Sequence, residues 1–252
     1  MQNNTNAEPK DFWNKRAHEF GRFENTQQDN TQDILGMIRK MGVDFSGKTV
    51  IDAGCGTGRY TLNLAKEAAH VTGVDISEEM LRFLNEDAKA HGISNINTIC
   101  SDWNDFTPDR KYDIAFCTMS PALRAAEARK KLNDCATGSV VYMGFDGLRS
   151  SDVLDHLCPL FDITPKTFCD AVKMRAWLDE NGMGYQCEKI EGEWSHSKPL
   201  DALADSAIHM LEAYGVPIDR DVVKANLEPF RAQDGTYTET IRFRSALIVW
   251  NK

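Results

Sequence analysis

Several things are missing from this chain of 252 residues. No stretch approaches the ~18 apolar residues that a membrane-spanning helix needs. Positive charge is not in excess: 29 Lys+Arg against 38 Asp+Glu give a formal charge of −9. That argues against broad binding to nucleic acid, which takes a basic surface, and against docking on anionic membranes. The seven cysteines (55, 100, 117, 135, 158, 169 and 187) include no C-x-x-C pair. Neither a zinc site nor a disulfide framework is expected, so reduced thiols in a cytoplasmic protein are the reading. Met1 to Lys10 lacks the basic start and apolar core of a signal peptide. There is no internal repeat and no low-complexity segment.

What is present is a change of rhythm. Residues 11–23 read as a short amphipathic helix carrying Phe12, Trp13, Arg16 and Phe20, and 24–32 as a polar connector. A second helix, capped by Thr31 or Asp33, places Ile34, Leu35, Ile38 and Met41 on one face. Strands and helices then alternate. Strands are predicted at 48–52, 71–76, 95–100, 112–117 and 139–145. Helices are predicted at 58–70, from Ser77 to about 91, and from Pro121. Such alternation means βαβ units and a mostly parallel sheet. The tail differs: a helix over 165–181, strands at 185–190 and 238–250, and two helical stretches near 199–214 and 219–232. No crossover helix fits tightly before the final strand, which is therefore expected to run antiparallel.

The densest signal is VIDAGCGTGRY at 50–60. Gly54, Gly56 and Gly58 lie between a strand and a helix, where bare backbone can approach a ligand closely. The dinucleotide pattern G-x-G-x-x-G is not met, because Arg59 takes the third position. The pattern is Asp-x-Gly-x-Gly-x-Gly from Asp52. An acid there suits a ligand with a cationic amine better than a pyrophosphate. Asp75 ends the second strand, 21 residues after Gly54, where a carboxylate can accept hydrogen bonds from ribose hydroxyls. Asp102-Trp103 follows the third strand, placed for an amino group and a flat ring.

In this order the motifs resemble class I S-adenosylmethionine-dependent methyltransferases of the small-molecule type, from about Lys48 to Phe145, with the tail strands extending the likeness to 252. The resemblance implies a Rossmann-like, mostly parallel seven-stranded sheet with an antiparallel last strand and helices on both faces. It implies S-adenosylmethionine as cofactor, released as S-adenosylhomocysteine. By resemblance, Gly54, Cys55 and Gly56 approach the methionine part, and Asp52 orders the loop and the cofactor's amine. Asp75 binds the ribose, with Ile76 against adenine. Asp102 and Trp103 take the adenine, and Cys117 offers its carbonyl near the amino-acid end. The expected organisation is an N-terminal helical cap at 1–46 and one Rossmann-like domain at 47–252, with a helical insert at about 195–237.

The substrate half is less constrained. The stretch Cys117-Thr-Met-Ser-Pro121 lacks the Asn-Pro-Pro-aromatic motif, which disfavours adenine-N6 and glutamine-N acceptors. It also lacks an acid to hold a metal, which disfavours the magnesium-dependent catechol type; the cysteine spacing supports no thiol-based arsenite enzyme. His196, flanked by Trp194 at the start of the insert, is the least poor candidate for a base among six histidines. Lys173 and Arg175 could hold an acidic substrate, and Tyr142, Met143 and Phe145 could shape a pocket. A solvated helix face and core packing are the simpler readings of these two sets. Two alternatives stay open: a non-catalytic module that binds the cofactor as sensor or accessory subunit, and an NAD(P) oxidoreductase. The acceptor, its reacting atom and the oligomeric state are not readable from the sequence.

Overall fold

The computed structural model describes residues 9–23 and 30–252. The expected tail and connector lie mostly outside these residues. In chain order the elements are α1 (Pro9–Arg16), α2 (Thr31–Lys40), β1 (Thr49–Ala53), α3 (Thr61–Leu64), β2 (His70–Asp75), α4 (Glu78–Ala90), β3 (Ile96–Cys100), β4 (Tyr112–Thr118), α5 (Ala126–Cys135), β5 (Ala136–Ser151), α6 (Asp152–Leu157), α7 (Asp170–Glu180), β6 (Gln186–Lys198), α8 (Leu200–Glu212), α9 (Arg220–Ala225) and β7 (Tyr237–Asn251). The sheet has seven strands in the order β3-β2-β1-β4-β5-β7-β6. β1 pairs parallel with β2 and β4, β2 with β3, and β4 with β5. Cross-strand contacts fix the rest. Ser139 meets Asn251 and Ser151 meets Glu239, so β7 runs antiparallel to β5. Ser195 meets Thr240 and Ser197 meets Thr238, so β6 runs antiparallel to β7. The expected sheet and its antiparallel last strand are both present.

The chain forms two compact units, one of residues 1–144, 173–188 and 247–252, the other of 145–172 and 189–246. The second unit also takes in the ends of β5 and β6, which run on well past the 139–145 and 185–190 read from sequence.

In the first unit, β1 and β4 are buried almost throughout, which is why Val50, Ile51, Ile114, Ala115 and Phe116 read as continuous apolar runs. The N-terminal segment is held by polar contacts. Arg22 donates to Asp87 Oδ1 (2.9 and 2.6 Å) and the Phe23 N–H to Oδ2 (2.9 Å). Asn14 Oδ1 accepts from the Ser77 hydroxyl (2.7 Å) at the start of α4. Three local expectations change here. The helix predicted over 58–70 is hydrogen-bonded as α-helix only at α3. Gly58 has φ +88°, and Asn95 Nδ2 donates to the Ala65 and Ala68 carbonyls (2.8 and 2.9 Å), satisfying groups that a longer helix would use itself. Asn30, not Thr31 or Asp33, is the N-cap of α2, and it makes no side-chain cap bond. Pro121 begins a single 3₁₀ turn to Leu123, and α5 starts only at Ala126.

The second unit buries Val153, Leu157, Leu203, Ala207, Leu211, Val223 and Leu227 as its own core. Asp219 caps α9 through the Asp221 and Val222 N–H groups. The helices expected at 199–214 and 219–232 are α8 and the shorter α9, which stops at Ala225 before Pro229.

Candidate functional site

The carboxyl ends of β1, β2 and β4 bring seven of the predicted residues to one edge of the sheet: Asp52, Gly54, Cys55, Gly56, Asp75, Ile76 and Cys117. The register sets Asp52 beside Gly73 on β2 and Phe116 on β4, and Asp75 beside Cys100 on β3. Strand order reverses between β1 and β4, and open α/β sheets take ligands at such a switch point.

The turn after β1 is built on main-chain hydrogen bonds. Gly54 and Cys55 N–H both donate to the Val74 carbonyl (2.7 and 3.2 Å), and Gly58 N–H to the Cys55 carbonyl (3.0 Å). Gly56 N–H donates to Asp75 Oδ2 (2.8 Å), tying the turn to the end of β2. Gly54 has φ +73°, and a Cβ there would lie 1.9 Å from Ser120 Oγ. Both the backbone conformation and the approach of the 118–121 turn therefore require glycine.

Two buried carboxyl groups flank this turn. Asp52 is 3% exposed and accepts from the Thr61 hydroxyl (2.6 Å). Burial pushes its carboxyl up to about 7; the Thr61 bond opposes this and the Asp75 charge adds to it. Burial also raises the Asp75 carboxyl, against the hydrogen bonds from Ser77, Gly56 and Ile76. Its Oδ1 accepts from Ser77 N–H (2.9 Å) and its Oδ2 from Gly56 N–H. A carboxylate has about four lone-pair sites, so these bonds leave it room for a further donor. The Cys55 and Cys117 thiols are both buried and pushed well up by burial, with the two carboxylates adding. They are neutral packing groups, and Cys117 lies within β4, in register with Tyr142 of β5. Ile76 is half-buried.

Beyond β3 the two neighbours separate. Asp102 is half-buried, and its Oδ1 accepts from Asn104 N–H (2.7 Å) and Nδ2 (2.9 Å). Trp103 is 3% exposed; its indole N–H donates to the Ala128 carbonyl of α5 (3.2 Å), and its ring lies 5.5 Å from Phe106. The structure therefore spends Trp103 on packing against α5.

His196 belongs to the second unit. Its Nε2 lies 3.0 Å from Glu239 Oε2, and the Ser151 hydroxyl donates to Oε1 of the same buried carboxylate. The three side chains form a row across β5, β7 and β6.

The residue reading missed Thr61, which holds Asp52, and the turn Met119-Ser120. Met119 has φ +51°, unusual for a side chain of its size, and its N–H donates to the Met143 carbonyl (2.7 Å). Thr61 carried a signal, a hydroxyl at the first turn after a glycine loop. Met119 carried none, because its conformation is imposed by β4 and β5.

The sheet order, the glycine turn and the acids at the strand ends define a Rossmann-like fold of the class I methyltransferase type. Residues 44–142 match the model of the methyltransferase domain family. Among curated proteins, the chain is 44% identical over 80 residues to a 23S rRNA (uracil(1939)-C(5))-methyltransferase of Hahella chejuensis, covering 32% of this chain and 18% of that one. It is 35% identical over 95 residues to a ubiquinone biosynthesis O-methyltransferase of Coxiella burnetii, covering 37% and 40%. The chain thus spans less than half the length of either relative. Among solved structures it is similar to the YcgJ protein of Bacillus subtilis (TM-score 0.57, 19% identity, 88% and 98% covered). It is also similar to magnesium protoporphyrin IX methyltransferase of Synechocystis with bound S-adenosylhomocysteine (TM-score 0.52, 17% identity, 93% and 96% covered). At those identities the likeness is one of fold.

Proposed function

We propose that the chain moves a methyl group from S-adenosylmethionine to a small-molecule acceptor. The observation that carries this reading is the set Asp52, Gly54, Gly56 and Asp75, gathered where strand order reverses. The donor set fits the cofactor. Two acids and a glycine turn suit a ligand with a cationic amine and vicinal hydroxyls, and neither acid is neutralised by an ion pair among the described residues.

When bound, the cofactor supplies an electrophilic methyl on sulfonium sulfur. The chain's own residues do the rest. Asp75 would accept from the ribose hydroxyls with the hydrogen-bonding capacity its backbone bonds leave. Asp52 faces the amino-acid end, where a cationic amine holds its carboxyl ionised. Gly54 and Gly56 let the ligand lie against bare backbone, and Asp102 accepts from the adenine amino group. Trp103 serves this site from behind, fixing the Asp102 turn to α5. The N-terminal helices form a cap on the domain. Alignment and exclusion of water then give in-line displacement its advantage.

Charge and one of the two relatives support a small acceptor, while the other relative is named for 23S rRNA. The net charge of −9 is unfavourable for a polyanion, and one relative is named for ubiquinone biosynthesis. No helix of the described residues is long and apolar enough to cross a membrane, and we place the protein in the cytoplasm.

The test is transfer of tritium from methyl-labelled cofactor into a metabolite extract. Label reaching a small acceptor is the expected result. Binding without any transfer would favour the non-catalytic module, and label confined to added RNA would overturn the small-molecule reading.

A further inference from the structure

The turn that carries Asp102 is held at both ends. At its start Asp102 acts as a cap. Its Oδ1 accepts from Asn104 N–H (2.7 Å) and Nδ2 (2.9 Å), and its carbonyl accepts from the Asp105 and Phe106 N–H groups (3.1 and 2.9 Å). Ser101 N–H donates to the Asp75 carbonyl (2.9 Å), which ties the turn to the end of β2.

At the other end three main-chain carbonyls meet one ammonium. Lys131 Nζ, on α5, donates to the carbonyls of Trp103, Asn104 and Phe106 at 2.8, 2.7 and 2.7 Å. A lysine ammonium has three donors and no acceptor, so this set uses it fully. Its compact charge suits three oxygens meeting at one point better than the planar fork of an arginine would. One turn earlier on α5, the Ala128 carbonyl accepts from the Trp103 indole (3.2 Å). Turn and helix both belong to the first unit.

Burial of Trp103 and Phe106 keeps the turn against the helix, but apolar contact is non-directional and does not fix rotation. The three carbonyl bonds do. The N–H ends of the same turn point at Asp102, so what orients the carbonyls orients its carboxylate. Both Asn104 bonds fall on Oδ1, which leaves Oδ2 as the oxygen for a ligand.

We propose that Lys131 is a positioning residue for adenine recognition: by gathering the carbonyls of the 103–106 turn, it sets the Asp102 carboxylate to accept from the exocyclic amino group of adenine. This rests on the cofactor reading above. Calorimetry on the full chain with S-adenosylhomocysteine and S-inosylhomocysteine tests it, the second ligand having an oxo group in place of the amino group. Wild type should bind S-adenosylhomocysteine about tenfold more tightly, the scale of one hydrogen bond to a charged group. Lys131→Met, which keeps the side chain's length and removes the ammonium, should weaken S-adenosylhomocysteine about tenfold and leave S-inosylhomocysteine unchanged. In an Asp102→Ala background the same substitution should change neither ligand, because the lysine acts through that carboxylate. Should Lys131→Met fail to fold, Lys131→Gln, shorter and uncharged, makes the same comparison. A folded Lys131 variant that keeps the wild-type preference, or weakens both ligands alike as a merely structural loss would, overturns the proposal. Equal binding of the two ligands by wild type also overturns it, with the cofactor reading intact. Binding of neither ligand by folded wild type would sink the cofactor reading and the proposal with it.

Discussion

The first unit and the second build their polar features from different materials. Around β1 and β2 the contacts are main chain to main chain or main chain to carboxylate: Gly54 to Val74, Gly56 to Asp75, Ser77 to Asp75. In the second unit they are side chain to side chain: Ser151 to Glu239 to His196, and Arg149 stacked on Phe168. A feature made of backbone tolerates few residue types, because positive φ and close approach select glycine. A feature made of side chains can be assembled from many combinations. This is why one unit carries a readable motif and the other does not.

The sharpest way to break that contrast is at Gly54. Gly54→Ala places a Cβ against Ser120 Oγ and Cβ (1.9 and 2.6 Å) at φ +73°. Left-handed backbone costs about 1–2 kcal/mol and overpacking about 1–3 kcal/mol. Denaturant unfolding should show a loss of about 2–5 kcal/mol. Adding Ser120→Gly should recover the packing part and leave about 1–2 kcal/mol for the backbone. A neutral Gly54→Ala would mean that the turn is as permissive as the second unit.

A smaller effect separates the buried acid from the backbone around it. The folded-state value of Asp52 is raised from 3.8 to about 7, so between these limits the folded state binds more protons than the unfolded one. Its contribution is fully present below about 4, falls as pH rises, and levels off above about 7. The cofactor's amine favours the ionised form, so cofactor binding should strengthen as pH rises to about 7, releasing a proton below it. Asp52→Asn should flatten both dependences. Calorimetry in buffers of different ionisation enthalpy reads the proton directly; equal slopes in wild type and Asp52→Asn would remove Asp52 from this role.

Much of the first unit was legible in the sequence. Buried strands read as apolar runs, Ser77 read as the α4 cap and accepts from Met80 N–H (3.2 Å), and the strand-end acids stand where the alternation put them. Helix length was less legible. Asn95 ends the 61–64 helix from 30 residues away in sequence, and no local pattern carries that. Trp103 read as an adenine platform because a flat ring beside an acid permits it; its burial depends on α5, which the sequence leaves free. In the second unit the helices were legible by periodicity. The lengths of β5 and β6 were not, since their exposed, polar continuations look like loop until partner strands are known. The row Ser151–Glu239–His196 joins positions 88 and 43 residues apart, and only strand register reveals it.

The central claim is that the glycine turn and its two acids form a site for an S-adenosyl ligand. Titrating S-adenosylhomocysteine into the folded chain by calorimetry, beside Asp75→Ala, tests it most directly. Asp75 pins Gly56 N–H and is the proposed acceptor for the ribose, so the account predicts saturable binding of one ligand per chain that Asp75→Ala abolishes. Heat identical in the two folded proteins, or none from either S-adenosylhomocysteine or S-adenosylmethionine, would contradict it.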